Sequence, residues 1–260
     1  MVFSLKLKLQ TILFFLSTLF IPMTTKGANH PLSPHSAFLS EKTWRFDFSG
    51  SVLKRQSNES LFSFPELGII YSVVKKVELS AFWPFLILTR TNRPALASSG
   101  DINLSTKVAL YARKNWAAAF RFWVKLPNAQ DEKKLGTDQT DFFSAVLFSE
   151  RIRSFEFSQN FGLGILGSPT ALRSQEDVYP FGLSATIRPK KLAFFSEWYG
   201  QASPHPAYVF SRLSAGVGYE AGKFAFKLSA LKGLTEKPKG YQNLLGADWG
   251  VNLGFQWFRK

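Results

Sequence analysis

The stretch that decides the fold is Ala247-Asp248-Trp249-Gly250-Val251-Asn252-Leu253-Gly254-Phe255-Gln256-Trp257-Phe258. Every second side chain in it is large and apolar from position 249 on, and the side chains between are small or polar. This period of two predicts a β-strand with one apolar face and one polar face. A soluble sheet would bury the apolar face in a core, whereas a transmembrane barrel would turn it toward lipid.

The composition narrows the classes of protein to which the chain can belong. Of its 260 residues, 45% are hydrophobic and 16% aromatic, and a mean hydropathy of -0.04 argues against a helical membrane protein. Cysteine is absent, which excludes disulfides, thiolate metal sites, a cysteine nucleophile and a lipoprotein anchor. The net charge of +14 fits nucleic-acid binding, contact with an anionic membrane surface, or an anion-tolerant pore.

Residues 1–28 have the pattern of a secretory signal peptide. Lys6 and Lys8 precede an apolar run over residues 11–21, and small residues up to Ala28 offer a cleavage site. The alternative is an uncleaved anchor, for which this run is short. Residues 29–43 are then expected to form an irregular periplasmic N-terminal lead-in, and residues 44–260 the exported domain.

From Trp44 onward the alternation predicts about twelve strands, each roughly the 9–11 residues that a tilted strand needs to cross a bilayer. The expected connections alternate between long and short. The short ones fall near residues 75–76, 113–115, 150–153, 189–191 and 221–222, and the long ones include a polar gap at residues 54–60 and a gap at residues 92–100. The strand expected at about residues 140–150 is the least regular. Long external loops and short periplasmic turns are typical of outer-membrane barrels. Pro84 cannot donate a ladder hydrogen bond, so a bulge or kink is expected beside it.

Aromatic residues on the apolar face gather at the short-turn ends of the strands, as in an aromatic girdle at a lipid–water interface. They are Trp44, Tyr71, Trp116, Phe155, Tyr219, Phe224 and Trp257, while Trp198 and Trp249 mark the other end. The opposite face carries many charges, which a sandwich core would not accommodate. The sequence therefore predicts an all-β fold, a transmembrane antiparallel up-and-down β-barrel. The alternative is a periplasmic antiparallel sheet with one solvated face.

The lumen-facing charges and rings are the candidate solute contacts. The selected residues are Arg121, Lys125, Glu197, Tyr199, Arg45, Lys107, Arg212 and Lys227. The charged residues that the alternation places toward the lumen are mostly positive, which favours anions or polarised solutes. The alternative is that they brace the wall as ion pairs. Trp123, Phe195, Phe82 and Phe210 also face inward, where they either contact an aromatic solute or fill a narrow interior.

Catalysis has little support in the sequence. The three histidines, His30, His35 and His205, lie before the barrel or between two prolines, and none stands beside a suitable nucleophile. Acidic pairs such as Glu176-Asp177 are interpreted as solvated loop charge. No catalytic residue, cofactor or metal site is predicted, and the protein is not expected to be an enzyme.

Four short segments resemble landmarks of the MetA-pathway-of-phenol-degradation family of outer-membrane proteins. They are Gly100-Asp101-Ile102-Asn103-Leu104, Val124-Lys125-Leu126-Pro127-Asn128, Thr140-Asp141 and Glu197-Trp198-Tyr199-Gly200, within a likeness that covers residues 44–258. Asn128 and Ala129 stand where the family usually has Thr and Gly. The resemblance implies a barrel that transports aromatic or other hydrophobic compounds.

We therefore expect an outer-membrane channel of a Gram-negative bacterium that passes small, hydrophobic or aromatic molecules. The alternative is a non-transporting surface barrel whose external loops bind partners. The expected partners are outer-membrane lipid, a small-molecule solute and the barrel assembly machinery, which reads the terminal strand, with no role for nucleic acid. Here the strand's final aromatic is followed by Arg259-Lys260, whereas such chains usually end on the aromatic itself.

Overall fold

A computed structural model describes residues 36–39, 43–56, 59–129, 135–136, 139–167, 175–204, 209–235 and 247–259. The predicted signal peptide lies outside the described residues. The strands are β1 Trp44–Gln56, β2 Glu59–Val74, β3 Val77–Arg90, β4 Arg93–Ser99, β5 Ile102–Ala112, β6 Trp116–Leu126, β7 Asp141–Ile152, β8 Phe155–Leu166, β9 Glu176–Ile187, β10 Leu192–Ala202, β11 Phe210–Ala221, β12 Phe224–Gly233 and β13 Trp249–Arg259. Within those ranges, no helix is long and apolar enough to cross a membrane.

The strands form one closed antiparallel sheet. Apart from β4, the strands pair with their neighbours in chain order, and β1 closes on β13, from Trp44 opposite Arg259 to Lys54 opposite Trp249. The outer half of β3 pairs with β4 and its inner half with β5, so β4 and β5 together fill one place in the wall. The predicted transmembrane barrel of about twelve strands is therefore confirmed as a twelve-stranded closed barrel.

The apolar face of the wall points outward. Leu253 of β13 is 62% exposed, and large apolar side chains of every spanning strand share its direction. A soluble sandwich would bury these side chains, whereas lipid is their natural environment in a barrel. At the rim of the short turns, called here the inner rim, Trp44 stacks on Tyr71 and Phe46 on Trp257, with ring centroids 4.1 and 5.2 Å apart.

Two expected loops at the opposite, outer rim are strands instead. Residues 92–100 were expected to form a long gap, but β3 and β4 make a hairpin that turns at Thr91 and Asn92, where Asn92 has a φ of 61°. Likewise β1 and β2 continue through most of the predicted polar gap at residues 54–60. Outside lipid a hairpin needs no apolar face, so its polar sequence resembles a loop. The strict alternation of long and short connections was wrong for these two.

The irregularity expected beside Pro84 is present in the pairing of β2 with β3. Pro84 lies opposite Glu66 and Leu86 opposite Ser63, so the extra residue is carried by β2, across from the proline. Two turns are shifted slightly from the predicted positions: the turn after β7 is at Arg153 and Ser154, and the turn after β11 is at Gly222 and Lys223. Strand β7, which was expected to be the least regular, alternates regularly.

Candidate functional site in the barrel lumen

All the predicted solute-contact residues project into the lumen, on the face of the wall opposite to the lipid-facing side chains. Arg45 lies on β1, Lys107 on β5, Arg121 and Lys125 on β6, Glu197 and Tyr199 on β10, Arg212 on β11 and Lys227 on β12. None of them is exposed, and Lys107 is buried. Their contacts divide the cations into two groups, described in turn below.

The first group of cations forms ion pairs with neighbouring wall residues. Arg45 pairs with Asp47 at 3.1 Å and Lys107 with Glu78 at 3.0 Å. Lys125 lies between the carboxylates of Asp141 and Asp101. An ion pair within the wall offers less charge to a passing solute, so Arg45, Lys107 and Lys125 act first as braces.

The second group lies over aromatic rings. Arg121 stands 5.1 Å from the ring centroid of Trp123, Arg212 stands 5.3 Å from that of Tyr199, and Lys227 stands 4.3 Å from that of Phe195. None of these cations forms an ion pair with another residue in the described part of the chain. Arg121, Arg212 and Lys227 are consequently the cations best placed to meet a solute.

Glu197 is the acidic candidate that keeps an unused acceptor. Its Oε1 atom is buried and accepts no hydrogen bond from the residues that the structure covers. In the sheet it lies between Ser184 of β9 and Ser214 of β11. Two positions along β10, the Tyr199 ring lies 5.7 Å from that of Phe210. A buried acceptor of this kind suits a polar group of a solute or a water molecule.

The positive excess of the lumen is smaller than the sequence indicated. Acidic side chains that were not selected, Glu66, Asp101, Asp141 and Glu220, also face inward and nearly balance the bases. At the inner rim Glu156 binds both Arg151, at 2.7 Å, and Arg188, at 3.2 Å. A general preference for anions is therefore less well supported than local sites of positive charge.

A buried apolar cluster, called here the collar, lies near the outer rim and was not predicted from the sequence. Leu61, Leu86 and Leu88 face inward there and are buried together with Ala129 and Leu135 of the connection between β6 and β7. This connection therefore bends into the mouth of the barrel. The available signal was the run of unbroken apolar residues at positions 85–88, where alternation stops because both faces are apolar.

Three landmarks of the family resemblance meet beneath this collar in one cluster. Lys125 Nζ lies 2.7 Å from Asp141 Oδ2 and 3.6 Å from Asp101 Oδ2. Asp101 Oδ1 accepts the backbone N–H groups of Asn128 and Ala129 at 3.1 and 3.0 Å. Because backbone groups make these bonds, the departure from Thr and Gly at positions 128 and 129 leaves them intact.

The inner half of the lumen contains part of the chain's own N-terminus. Of the expected periplasmic lead-in, the structure describes residues 36–39 and 43, and residues 36–39 lie inside the barrel without regular secondary structure. They pack against β6 and β7, where Ala117, Ala119, Ala145 and Leu147 are buried. The lumen is thus narrowed at both ends by non-wall segments.

A metal site is not formed by the described residues, since no three His, Asp or Glu side chains converge there. The histidines weighed as catalytic bases, His30, His35 and His205, and the loop at residues 130–134 lie outside the described residues. Glu176, one of the loop acids weighed, accepts a hydrogen bond from Ser203 at 2.6 Å.

Comparison with solved structures shows the same fold in outer-membrane porins. The NanC porin superimposes with a TM-score of 0.58 at 11% identity, over 82% of this chain and 98% of that one. The KdgM porin, solved with disordered oligogalacturonate, gives a TM-score of 0.55 at 6% identity over 82% and 98%. The β domain of the Bordetella autotransporter BrkA gives 0.50 at 9% identity over 83% and 98%.

The class is therefore a closed antiparallel β-barrel of the porin type, the architecture of outer-membrane proteins. Identities this low show the fold alone. No protein-family model matches the chain, and no curated protein has a similar sequence. Membership of the MetA-pathway-of-phenol-degradation family stays a prediction.

Proposed function

We propose that this protein is an outer-membrane channel that passes small, predominantly apolar or aromatic molecules. The observation that carries the proposal is the set of lumen cations that rest on aromatic rings: Arg121 on Trp123, Arg212 on Tyr199 and Lys227 on Phe195. The rings favour an apolar or aromatic body, and the cations favour a polarised or anionic group on it.

Solute flux through the purified protein in liposomes tests this proposal. Uptake of a small aromatic solute should exceed that of a sugar of similar size, and Lys227→Gln should reduce the uptake of an aromatic carboxylate. Lys232→Gln is the matched control, because Lys232 lies on the same strand but on the exposed outer face. If the two substitutions reduced uptake equally, the reduction could not be assigned to the lumen.

The rival function is a surface barrel that transports nothing and binds partners through its external loops. The observation that favours it is the closure of the lumen by residues 129 and 135 at the outer rim and by residues 36–39 in the inner half. Folded protein that gives neither ion conductance nor solute flux would favour this rival over the channel. Catalysis is not proposed, and outer-membrane lipid remains the proposed surroundings.

A further inference from the structure

Two lysines and a tryptophan form one row on the lipid-facing side of the wall at the outer rim. Trp249 of β13 lies opposite Lys54 of β1 on one side and opposite Lys232 of β12 on the other. Adjacent strands are about 4.8 Å apart, so the two lysine backbones flank the tryptophan at roughly 10 Å from each other. All three positions share the outward phase of their strands. Because a tryptophan ring suits the lipid–water interface and a lysine keeps its ammonium group in water, this outer row marks the edge of the hydrocarbon.

The two lysines of the outer row keep their positive charge available. Lys54 Nζ donates a hydrogen bond to Ser60 Oγ at 3.3 Å, and Lys232 is exposed. Neither lysine takes part in the ion pairs found among the described residues. On the opposite side of the barrel, the outward positions of β7 and β8 nearest this rim are Phe142 and Ile165, which lie opposite each other. The outward-facing positive charge at this rim is therefore concentrated over β1, β12 and β13.

An apolar groove lies on the same outward face, directly below the outer row and toward the centre of the membrane. Its volume is about 580 Å³, and the large side chains that line it include Phe48, Val52, Phe62, Phe64, Val251 and Leu253. Val52 lies opposite Val251 two positions below the pair of Lys54 and Trp249, so the groove begins where the outer row ends. An apolar groove and a cationic row are thus continuous on one face of the wall.

The groove exists because Gly50 lies opposite an irregularity in the pairing of β1 with β2. Two residues of β2, Phe64 and Pro65, lie across from the single Gly50, which has an outward position without a side chain. A β-carbon on Gly50 would lie only 2.8 Å from Cδ2 of Phe64. The Phe64 ring meets the Phe48 ring edge to face, with centroids 5.5 Å apart, and together they border the hollow. A bulge and a glycine therefore make a depression in an otherwise convex surface.

The charge and shape of this face fit one kind of molecule, a lipid with a phosphorylated headgroup. Phosphate oxygens accept strong hydrogen bonds from ammonium groups, and lysines at a membrane surface attract anionic headgroups. The long connections of outer-membrane barrels are external, so the outer rim meets the outer leaflet. We propose that Lys54 and Lys232 bind the phosphate of one outer-leaflet lipid, whose hydrocarbon chain lies in the groove at Gly50. The site is on the outside of the wall, so its occupancy does not depend on whether the lumen conducts.

Native mass spectrometry of the folded protein in detergent, titrated with lipid A, tests the cationic part of the site. Lipid A is a phosphorylated glycolipid, and the unmodified chain should retain one molecule of it. The double variant Lys54→Gln with Lys232→Gln should bind lipid A more weakly by roughly tenfold or more, because both headgroup cations are lost. Lys76→Gln with Lys223→Gln is the matched control, since it removes two exposed charges from turns at the inner rim. Equal affinities of the two double variants would overturn the proposal.

A groove-filling variant tests the apolar part of the site with all lysines in place. Val251→Trp should weaken lipid A binding, whereas Ile165→Trp should not, although both side chains face lipid and are 42% exposed. Unchanged binding by Val251→Trp would overturn the placing of a hydrocarbon chain in the groove. Dephosphorylated lipid A should bind more weakly than lipid A, and equal binding would overturn recognition of the phosphate. A protein dimer that lipid A does not dissociate would assign the groove to a second copy of the chain and overturn the proposal.

Discussion

Lys125 and Asp141 lie directly opposite each other in the β6–β7 pair, and 2.7 Å separates Nζ from Oδ2. Asp141 uses its other oxygen, Oδ1, to accept the Gly167 N–H at 3.0 Å. Lys125 also contacts Asp101, which precedes β5 and accepts the backbone N–H groups of residues 128 and 129. The Lys125 ammonium group therefore links the outer ends of β5, β6 and β7 with the connections that follow β6 and β8.

Asp141→Asn should destabilise the barrel by about 3 kcal/mol, because it removes the shorter of the two carboxylate contacts that Lys125 makes inside the wall. Urea unfolding in lipid vesicles, followed by tryptophan fluorescence, measures this loss. Glu59→Gln is the matched control, since Glu59 pairs with Arg90 at 2.8 Å in the outer hairpin, where the two side chains are more exposed. That change should cost no more than about 1 kcal/mol.

Leu88→Asn should loosen the connection between β6 and β7 at the outer mouth and raise the flux of a small sugar. Leu88 is buried against Ala129 and Leu135, and an unpaired amide there costs about 1–3 kcal/mol. Leu88→Met keeps apolarity and nearly the same volume, so it should leave the flux unchanged. Liposome uptake measures the flux; an unchanged value in Leu88→Asn would speak against the collar as the contact that holds this connection in the mouth.

Gly216→Ala should destabilise the barrel by about 1–3 kcal/mol and shift the Phe195 ring on which Lys227 rests. A β-carbon at Gly216 would run into the Phe195 ring and the backbone carbonyl oxygen of Leu228. Gly254→Ala should be tolerated, because the nearest atom to its added carbon is Ser49 Cβ at an ordinary 3.7 Å. Unfolding curves for the two variants, recorded in the same lipid, make the comparison.

Trp257→Ala should lower the amount of assembled barrel in cells. Trp257 lies on the outward face of the last strand and stacks on Phe46 across the β1–β13 seam. Its loss removes both this contact and the aromatic of the terminal strand that the assembly machinery is expected to read. Trp257→Phe keeps an aromatic ring and should retain most of the yield of the unmodified chain. Gel mobility in detergent, compared before and after heating, measures the fraction of assembled barrel, because the folded barrel resists unfolding in detergent at room temperature.

The period-two alternation was enough to predict the barrel and the direction of most wall side chains. Arg121 and Lys227 face the lumen because their strands alternate without interruption between lipid and water. The alternation also predicted the inner-rim aromatics, such as Trp44 and Trp116, whose position follows from the length of a strand that must cross lipid. These features are set locally, by residues a few positions apart.

The alternation could not predict which side chains of different strands contact each other. Which acid pairs with Lys107 depends on strand register, and Glu78 lies opposite it only because β3 pairs with β5 at that offset. The packing of residues 36–39 in the lumen depends on side chains of β6 and β7, which lie far along the chain. The collar was missed because inward leucines such as Leu86 and Leu88 break the polar pattern that identifies a wet lumen.

The seam between β1 and β13 constrains how the protein can be made. Its hydrogen bonds join the first strand to the last, so the ring cannot close until the chain is complete through Arg259. Until then both flanking strands expose unpaired amide and carbonyl groups, which a hydrocarbon environment does not satisfy. A chain truncated before Trp249 would keep two open edges in the membrane and become a substrate for degradation. Closure of the barrel must therefore follow the synthesis of its last strand.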